Sequence, residues 1–339
     1  MNTTYEFEKY QTDATCLKKT LEKYGVAIIP SVLSQSETEE MKNGMWDSLE
    51  HITQKMEAPL SRDDQNTWRS FYELFPLHSM LLQHWQIGHA QFVWELRQNP
   101  KIIEIFRKFW GTGDLLVSFD GVSFHLPPEV TKKGWLQSSS KWLHTDQSYT
   151  RNDFECMQSW VTAYDVNEGD ATLTFLEKSH HYHGEFAETF GITEKSNWYK
   201  LEDDEHISFY KNKGCKQKSI RCPAGSMVFW DSRTIHAGQE AVKGRENQNI
   251  RNVVYLCYMP RELASPTDIK KKISYFETQR LTSHWPCKIK VFGKNPRTYG
   301  KEMPDTTDLP PPILRDVGLS LVGYSLIEDA DGYRKMSFC

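Results

Sequence analysis

No CxxC pair occurs among the seven cysteines of this 339-residue chain. Their odd number and scattered positions, from Cys16 to Cys339, argue against a zinc ribbon or a disulfide framework and suit a reducing compartment. Apolar runs approaching the roughly eighteen residues of a membrane span are lacking, so no membrane association is expected. Positive charge is not in excess either: 41 Lys and Arg stand against 45 Asp and Glu, a formal net charge of −4. A nucleic-acid partner is therefore not expected, because phosphate binding calls for a basic domain or stripe. The nearest basic run, Lys270-Lys271-Lys272, reads as a solvated helix face. Neither a GxGxxG fingerprint nor a phosphate loop is present. The first ten residues are polar and acidic, unlike a secretory leader, which makes a cytoplasmic location the expectation.

What is present is aromatic: 13% of the residues, eleven of them Trp, suited to a deep, aromatic-walled interior. The first third, 1–113, reads as mostly helical. Asp13 to Tyr24 is charged and amphipathic, with Asp13 a candidate N-cap and Gly25 a stop, and Val26-Ala27-Ile28-Ile29-Pro30 follows as a short strand. Ser34 or Ser36 opens a helix with acids in its first turn. Gly88 to Trp110 is helical again, broken at Asn99-Pro100 and stopped by Gly111. From Asp114 the pattern changes to short β runs: Leu115–Phe124, Met157–Val166, Ala171–Leu176, Lys218–Arg221, Ser226–Trp230 and Arg251–Met259. Turn clusters such as Asn167-Glu168-Gly169-Asp170 separate them. The fold class predicted is mainly β with flanking α-helices, built on a double-stranded β-helix (jelly-roll or cupin-like) core at 114–262. A long charged insertion at about 185–215 interrupts that core, and 263–339 is a C-terminal extension with a stiff connector at Asp308-Leu309-Pro310-Pro311-Pro312.

His144-Thr145-Asp146 is the only His-x-Asp in the chain. On a strand, residues two apart point to one face, so His144 and Asp146 can chelate one ion. Two imidazoles and a carboxylate suit iron(II) and leave positions open for co-substrate and O₂. Alone the pair also fits a surface turn. The third ligand must come from a distant strand, and His236 follows an apolar strand and a polar turn, with small neighbours Ala237 and Gly238 leaving room beside its ring. A core histidine bonded to a backbone carbonyl is the alternative. Fifteen residues on, Arg251 opens a strongly β run. A buried cation needs a partner, which a dicarboxylate co-substrate or an acid at the barrel rim would supply.

In this order the residues resemble the phytanoyl-CoA dioxygenase family of iron(II)/2-oxoglutarate oxygenases, over about residues 21–260. Leu21 to Pro30 is similar to the family's opening, Trp142 to Gln147 to its first metal motif, and Asp165 to His180 to its turn–strand segment, although Glu177-Lys178 stands where Pro-Gly is usual. Gly225 to His236 and then Arg251 resemble its second half. The resemblance implies a single oxygenase domain in which His144, Asp146 and His236 bind Fe(II), the catalytic metal. It implies that Arg251 holds the distal carboxylate of 2-oxoglutarate and that O₂ is the second co-substrate. Hydroxylation of a small-molecule C–H, with release of succinate and CO₂, is the reaction implied. Related halogenases carry Ala or Gly in place of the carboxylate, so Asp146 points to hydroxylation. The spacing from His236 to Arg251 is a few residues long, which makes Arg245 a rival in a hydrophilic turn. Gln158 and Trp160 could line the co-substrate or simply pack, Trp142, Gln147 and Tyr149 are expected on the substrate side, and Ser232 and Arg233 behind the distal His. The His180, His181 and His183 tract reads as structural. Other readings are a cupin-like binding protein without catalysis and an oxygenase of nucleic acid or protein; the substrate's identity is not encoded in any motif.

Overall fold

The computed structural model describes residues 4–136, 142–328 and 334–337. The chain folds as two compact units, 1–32 with 125–251 and 33–124 with 252–339.

The first unit is β-rich. Helix Leu17–Tyr24 ends where expected: Gly25 adopts φ +81° and its N–H donates to the Leu21 carbonyl. The helix starts later than its sequence suggested, because the Asp13 carboxylate caps a preceding turn, accepting from the Thr15 and Cys16 N–H groups. Gly25 cannot be replaced for a second reason. A Cβ there would stand 2.6 Å from Thr234 Oγ1 and 2.7 Å from His180 Nδ1. Its carbonyl also accepts from the Asp231 N–H and the Thr234 hydroxyl, tying the opening of the chain to the turn before His236.

Six strands form the first sheet, in the spatial order Thr4–Glu6, Gln217–Ile220, Thr172–Leu176, His236–Gln239, His144–Thr145 and Tyr199–Lys200. A second layer has Met227–Asp231 antiparallel to both Val26–Ile29 and Met157–Thr162. Every residue of those last three strands is buried, including the polar Gln158, Ser159 and Thr162. Neither layer closes into a barrel.

The insertion folds into helices His183–Phe190 and Asp204–Asn212 with the short strand Tyr199–Lys200 between them. Phe186, Tyr210, Tyr149 and Leu201 form its core, together with Leu143, Ile235 and Ala237 beside His144 and His236. Burying each such large apolar side chain contributes about 1.5–3 kcal/mol.

The second unit carries the helices Gln35–Thr53, Gln91–Arg97, Pro100–Trp110, Pro266–Glu277 and Asp316–Val322. Ser34 and Glu37 make the capping box that the acid-rich first turn foreshadowed, and Asn99 caps the helix that Pro100 begins. Lys272 corrects the reading of 270–272 as a solvated face. Lys270 and Lys271 are exposed, but Lys272 is buried, donates to the Val117 carbonyl and lies 3.7 Å from the Phe119 ring centroid. Burial pushes its amine well below the usual lysine range. No helix among the described residues is long and apolar enough to cross a membrane.

Four buried histidines give the protein an acid limit. Burial pushes His89 down to about 3 and His125, His180 and His183 to about 4. Each is neutral when folded and takes up a proton near pH 6.5 when unfolded, so the unfolded state binds more protons below that pH. Stability is therefore full above pH 6.5 and falls as pH drops toward 4, by about 1.4 kcal/mol per histidine per pH unit. Thermal unfolding is expected to be flat from pH 8 to 7 and to drop by several degrees between pH 6.5 and 5. A midpoint unchanged over that lower interval would contradict these four assignments.

Candidate metal centre

The site is built by sheet register. His144 lies directly opposite His236 in the antiparallel pairing of their strands, and side chains at opposed positions share a face. The two rings accordingly sit with centroids 4.5 Å apart. Asp146 continues past His144 on the same side, fixed by its N–H donating to the Ser232 carbonyl at 3.0 Å. The Thr145 hydroxyl donates to the same carbonyl. One oxygen of Asp146 is 3.2 Å from His236 Nε2, the other 3.7 Å from His144 Nε2. All three ligand atoms lie within 4.8 Å of one another, the one such cluster among the described residues.

Tautomer chemistry decides what fits there. His144 Nδ1 is 2.7 Å from the Trp142 carbonyl and His236 Nδ1 is 2.8 Å from the Thr234 carbonyl. A carbonyl only accepts, so both Nδ1 atoms carry a hydrogen and each ring turns its Nε2 toward Asp146. Two imidazole Nε2 atoms and a carboxylate converging in a buried pocket form a donor set that a cation would complete. The imidazole–imidazole–carboxylate set, with no thiolate, fits iron(II).

Behind the ligands, Gln158 donates from Nε2 to Asp146 Oδ2 at 3.0 Å while buried on strand Met157–Thr162. It leaves the carboxylate oriented rather than free to rotate. Gln158→Leu is expected to weaken Co(II) binding about 10–100-fold, the usual cost of an outer partner, while leaving the fold intact. Wild-type affinity in a competitive titration would mean that Gln158 merely packs.

Arg251 is 4% exposed at the head of strand Arg251–Tyr255. Its guanidinium lies 5.2 Å from the Trp160 ring centroid and donates to the Ala171 carbonyl at 3.4 Å. Trp160 is fully buried, and its Nε1–H has no hydrogen-bond partner among the described residues, an orphan donor beside a cation.

Arg245, by contrast, is committed. Its side chain is fully buried, forks onto Glu129 at 2.9 and 2.8 Å and reaches Asp170 at 2.7 Å. The turn that read as hydrophilic thus buries its arginine against two carboxylates. Lys178 explains the other departure: it takes φ +66°, the left-handed position that the usual glycine would fill.

Several expected neighbours have other duties. Gln147 is buried, its amide donating to the Arg151 and Asp153 carbonyls and accepting from the Ser232 hydroxyl. Tyr149 is buried with its hydroxyl on Tyr210. Both brace the turn after Asp146. Ala237, expected to leave space beside the ring, packs on the opposite face in the insertion core. Trp142 does stay at the site, stacked on His144 at 5.1 Å and 17° with its Nε1–H on the Gly238 carbonyl. Arg233 forks onto Asp231 rather than facing the ligands, and His180 and His183 are bonded to the Glu22 and Ser148 carbonyls. One residue went unread: Trp198 of the insertion, whose ring centroid is 5.9 Å from that of His144.

Comparison with known proteins agrees with this frame. The chain is 27% identical over 240 residues, 68% of its length and 74% of the relative's, to Ava biosynthesis cluster protein O of Aspergillus versicolor. A Salmonella typhimurium LT2 protein classed as an oxidoreductase shares the fold at TM-score 0.54 and 12% identity, covering 93% of this chain and 86% of its own. The epimerase SnoN, solved with Fe3+, alpha ketoglutarate and nogalamycin RO, aligns at TM-score 0.46 and 17% identity over 73% of this chain and 83% of that one. Residues 21–242, close to two-thirds of the sequence, match the family described as phytanoyl-CoA dioxygenase. The chain therefore belongs to the phytanoyl-CoA dioxygenase family of non-haem iron oxygenases, whose cofactors are iron(II), 2-oxoglutarate and O₂.

Proposed function

We propose that the protein hydroxylates an unactivated C–H bond of a small molecule, with His144, Asp146 and His236 holding the iron and Arg251 receiving the distal carboxylate of 2-oxoglutarate. The observation that carries this is the convergence of two imidazole nitrogens and a carboxylate within 4.8 Å. Iron(II) bound there would supply, with 2-oxoglutarate and O₂, an oxidant able to take hydrogen from carbon, releasing succinate and CO₂.

The chain's own residues do the rest. The Nδ1–H bonds to the Trp142 and Thr234 carbonyls hold the two rings, and Gln158 holds the carboxylate. Gln158 and Trp160 are two residues apart on one strand, hence on one face and about 6.6–6.8 Å apart along it. That step matches the reach of a five-carbon dicarboxylate running from the metal end to Arg251. Trp160 Nε1–H would complete the carboxylate's hydrogen bonds beside the guanidinium.

Anaerobic titration of the protein with Fe(II) and 2-oxoglutarate is the direct test. A visible charge-transfer band is the expected result, and its absence in folded protein would end the reading. Succinate release across a panel of small molecules then identifies the substrate.

A further inference from the structure

Strand Tyr199–Lys200 pairs antiparallel with the metal strand, Lys200 opposite His144 and Tyr199 opposite Thr145. One further step in that register sets Trp198 opposite Asp146. Opposed positions share a face, so the sheet itself directs Trp198 and Lys200 to the metal side and Tyr199 to the other. The rings bear this out: Tyr199 packs against the insertion core, whereas the Trp198 ring approaches His144.

Trp198 is nevertheless 50% exposed. Among the described residues of its unit it is the single large hydrophobic side chain left so open, since Leu263, Tyr299, Met303, Ile313 and Val317 all belong to the other unit. Its backbone is not loose. The Ser196 hydroxyl donates to the Trp198 carbonyl and accepts from its N–H. The segment is latched to the metal loop by Ser148 Oγ on the Glu194 carbonyl and by Arg151 on Asn197. An indole held in place, wet on one face and set at a metal ligand, is an amphipathic anchor without its guest.

Resting on the iron-site reading above, we propose that Trp198 is a specificity-determining residue that stacks a planar aromatic substrate against the mouth of the metal centre. Lys200 stands on the same face, its amine tied among the described residues to the exposed Glu202 at 3.4 Å, a pair that contributes little. The preferred guest is accordingly an aromatic molecule bearing an acidic group.

The test uses the full chain loaded with Co(II), whose d–d absorption reports the metal ligands without turnover. Two planar probes are titrated, the anionic 8-anilinonaphthalene-1-sulfonate and the neutral N-phenyl-1-naphthylamine. Saturable one-to-one binding of the anionic probe that alters the d–d bands is expected. Trp198→Ala should weaken it tenfold or more, and Trp198→Phe should hold it within about threefold. Lys200→Gln should remove most of the preference for the anionic probe. The proposal is overturned if Trp198→Ala binds as the wild type does, if the probe leaves the d–d bands unchanged, or if neither probe binds. A preference that survives Lys200→Gln overturns the acidic-group part. Failure of the metal reading looks different: Co(II) gives no d–d bands in wild-type protein, or gives the same ones in His144→Ala.

Discussion

His144→Ala is expected to abolish 2-oxoglutarate turnover, to below about 1% of wild type, and to weaken metal binding more than any change behind the ligands. The reasoning is one of order: removing an outer partner such as Gln158 costs about 10–100-fold, and His144 supplies a ligand atom itself. Its loss leaves His236 and Asp146, two donors on one face, with no third to set the geometry that the open coordination positions require. The fold should survive. His144 is tied through its Nδ1 to the Trp142 carbonyl, and an alanine in its place keeps the backbone pairing of its strand with His236 and Lys200. Anaerobic Fe(II) titration, succinate release and circular dichroism together make the measurement. Full turnover in a well-folded His144→Ala protein would refute the ligand assignment, and with it the route by which Asp146 and His236 were joined to it.

How much of this centre could be read from the bare chain depended on whether the signal was local. His144 and Asp146 share a face because of a two-residue period, which any strand imposes, so they were legible as a pair. His236 became legible through chain order. Its register opposite His144 is a property of two strands some ninety residues apart and has no local mark. Gln158 was legible as a residue that could line the co-substrate or simply pack, but not as a partner of Asp146: that contact, at 3.0 Å, is made only by the neighbouring layer. Trp198 sits in a segment with no motif, and its importance comes from a pairing that only the folded sheet reveals.

Gln147 and Tyr149 erred in the opposite direction. Adjacency to the metal motif suggested exposure to substrate, yet the turn after Asp146 needs internal hydrogen bonds, and these side chains provide them. Lys272 shows the limit for charge patterns. Three lysines in a row on a helix spread over about 200° around the axis; here the third turns toward the protein, where burial suppresses its charge. Helix and strand boundaries fared better where a chemical stop was present, as at Gly25, Asn99-Pro100 and Gly111.

The two candidate arginines should fail in different ways. Arg245→Met leaves Glu129 and Asp170 facing each other across an apolar side chain, with Asp170 3% exposed and already raised by burial. Breaking a buried ion pair from one side costs about 3–5 kcal/mol, so a fall of several degrees in the thermal midpoint is expected, with the KM for 2-oxoglutarate within about threefold of wild type. Arg251→Met removes a guanidinium whose proposed partner is the co-substrate. Truncating one side of a buried charge pair costs about 2–5 kcal/mol of binding, which is roughly 30-fold to several thousandfold in affinity. The KM for 2-oxoglutarate should therefore rise by about 100-fold or more, with a smaller loss of stability than Arg245→Met causes. Arg251→Lys should recover part of the affinity, since a point charge replaces the bidentate fork. Charge-transfer titration measures the affinity and thermal unfolding the stability, so one pair of experiments separates the roles. If Arg245→Met raised the KM and Arg251→Met only unfolded the protein, the co-substrate assignment would have to move to Arg245. The fork of Arg245 on Glu129 and its bond to Asp170 argue against that exchange, because a guanidinium already held by two carboxylates has little left to offer a third.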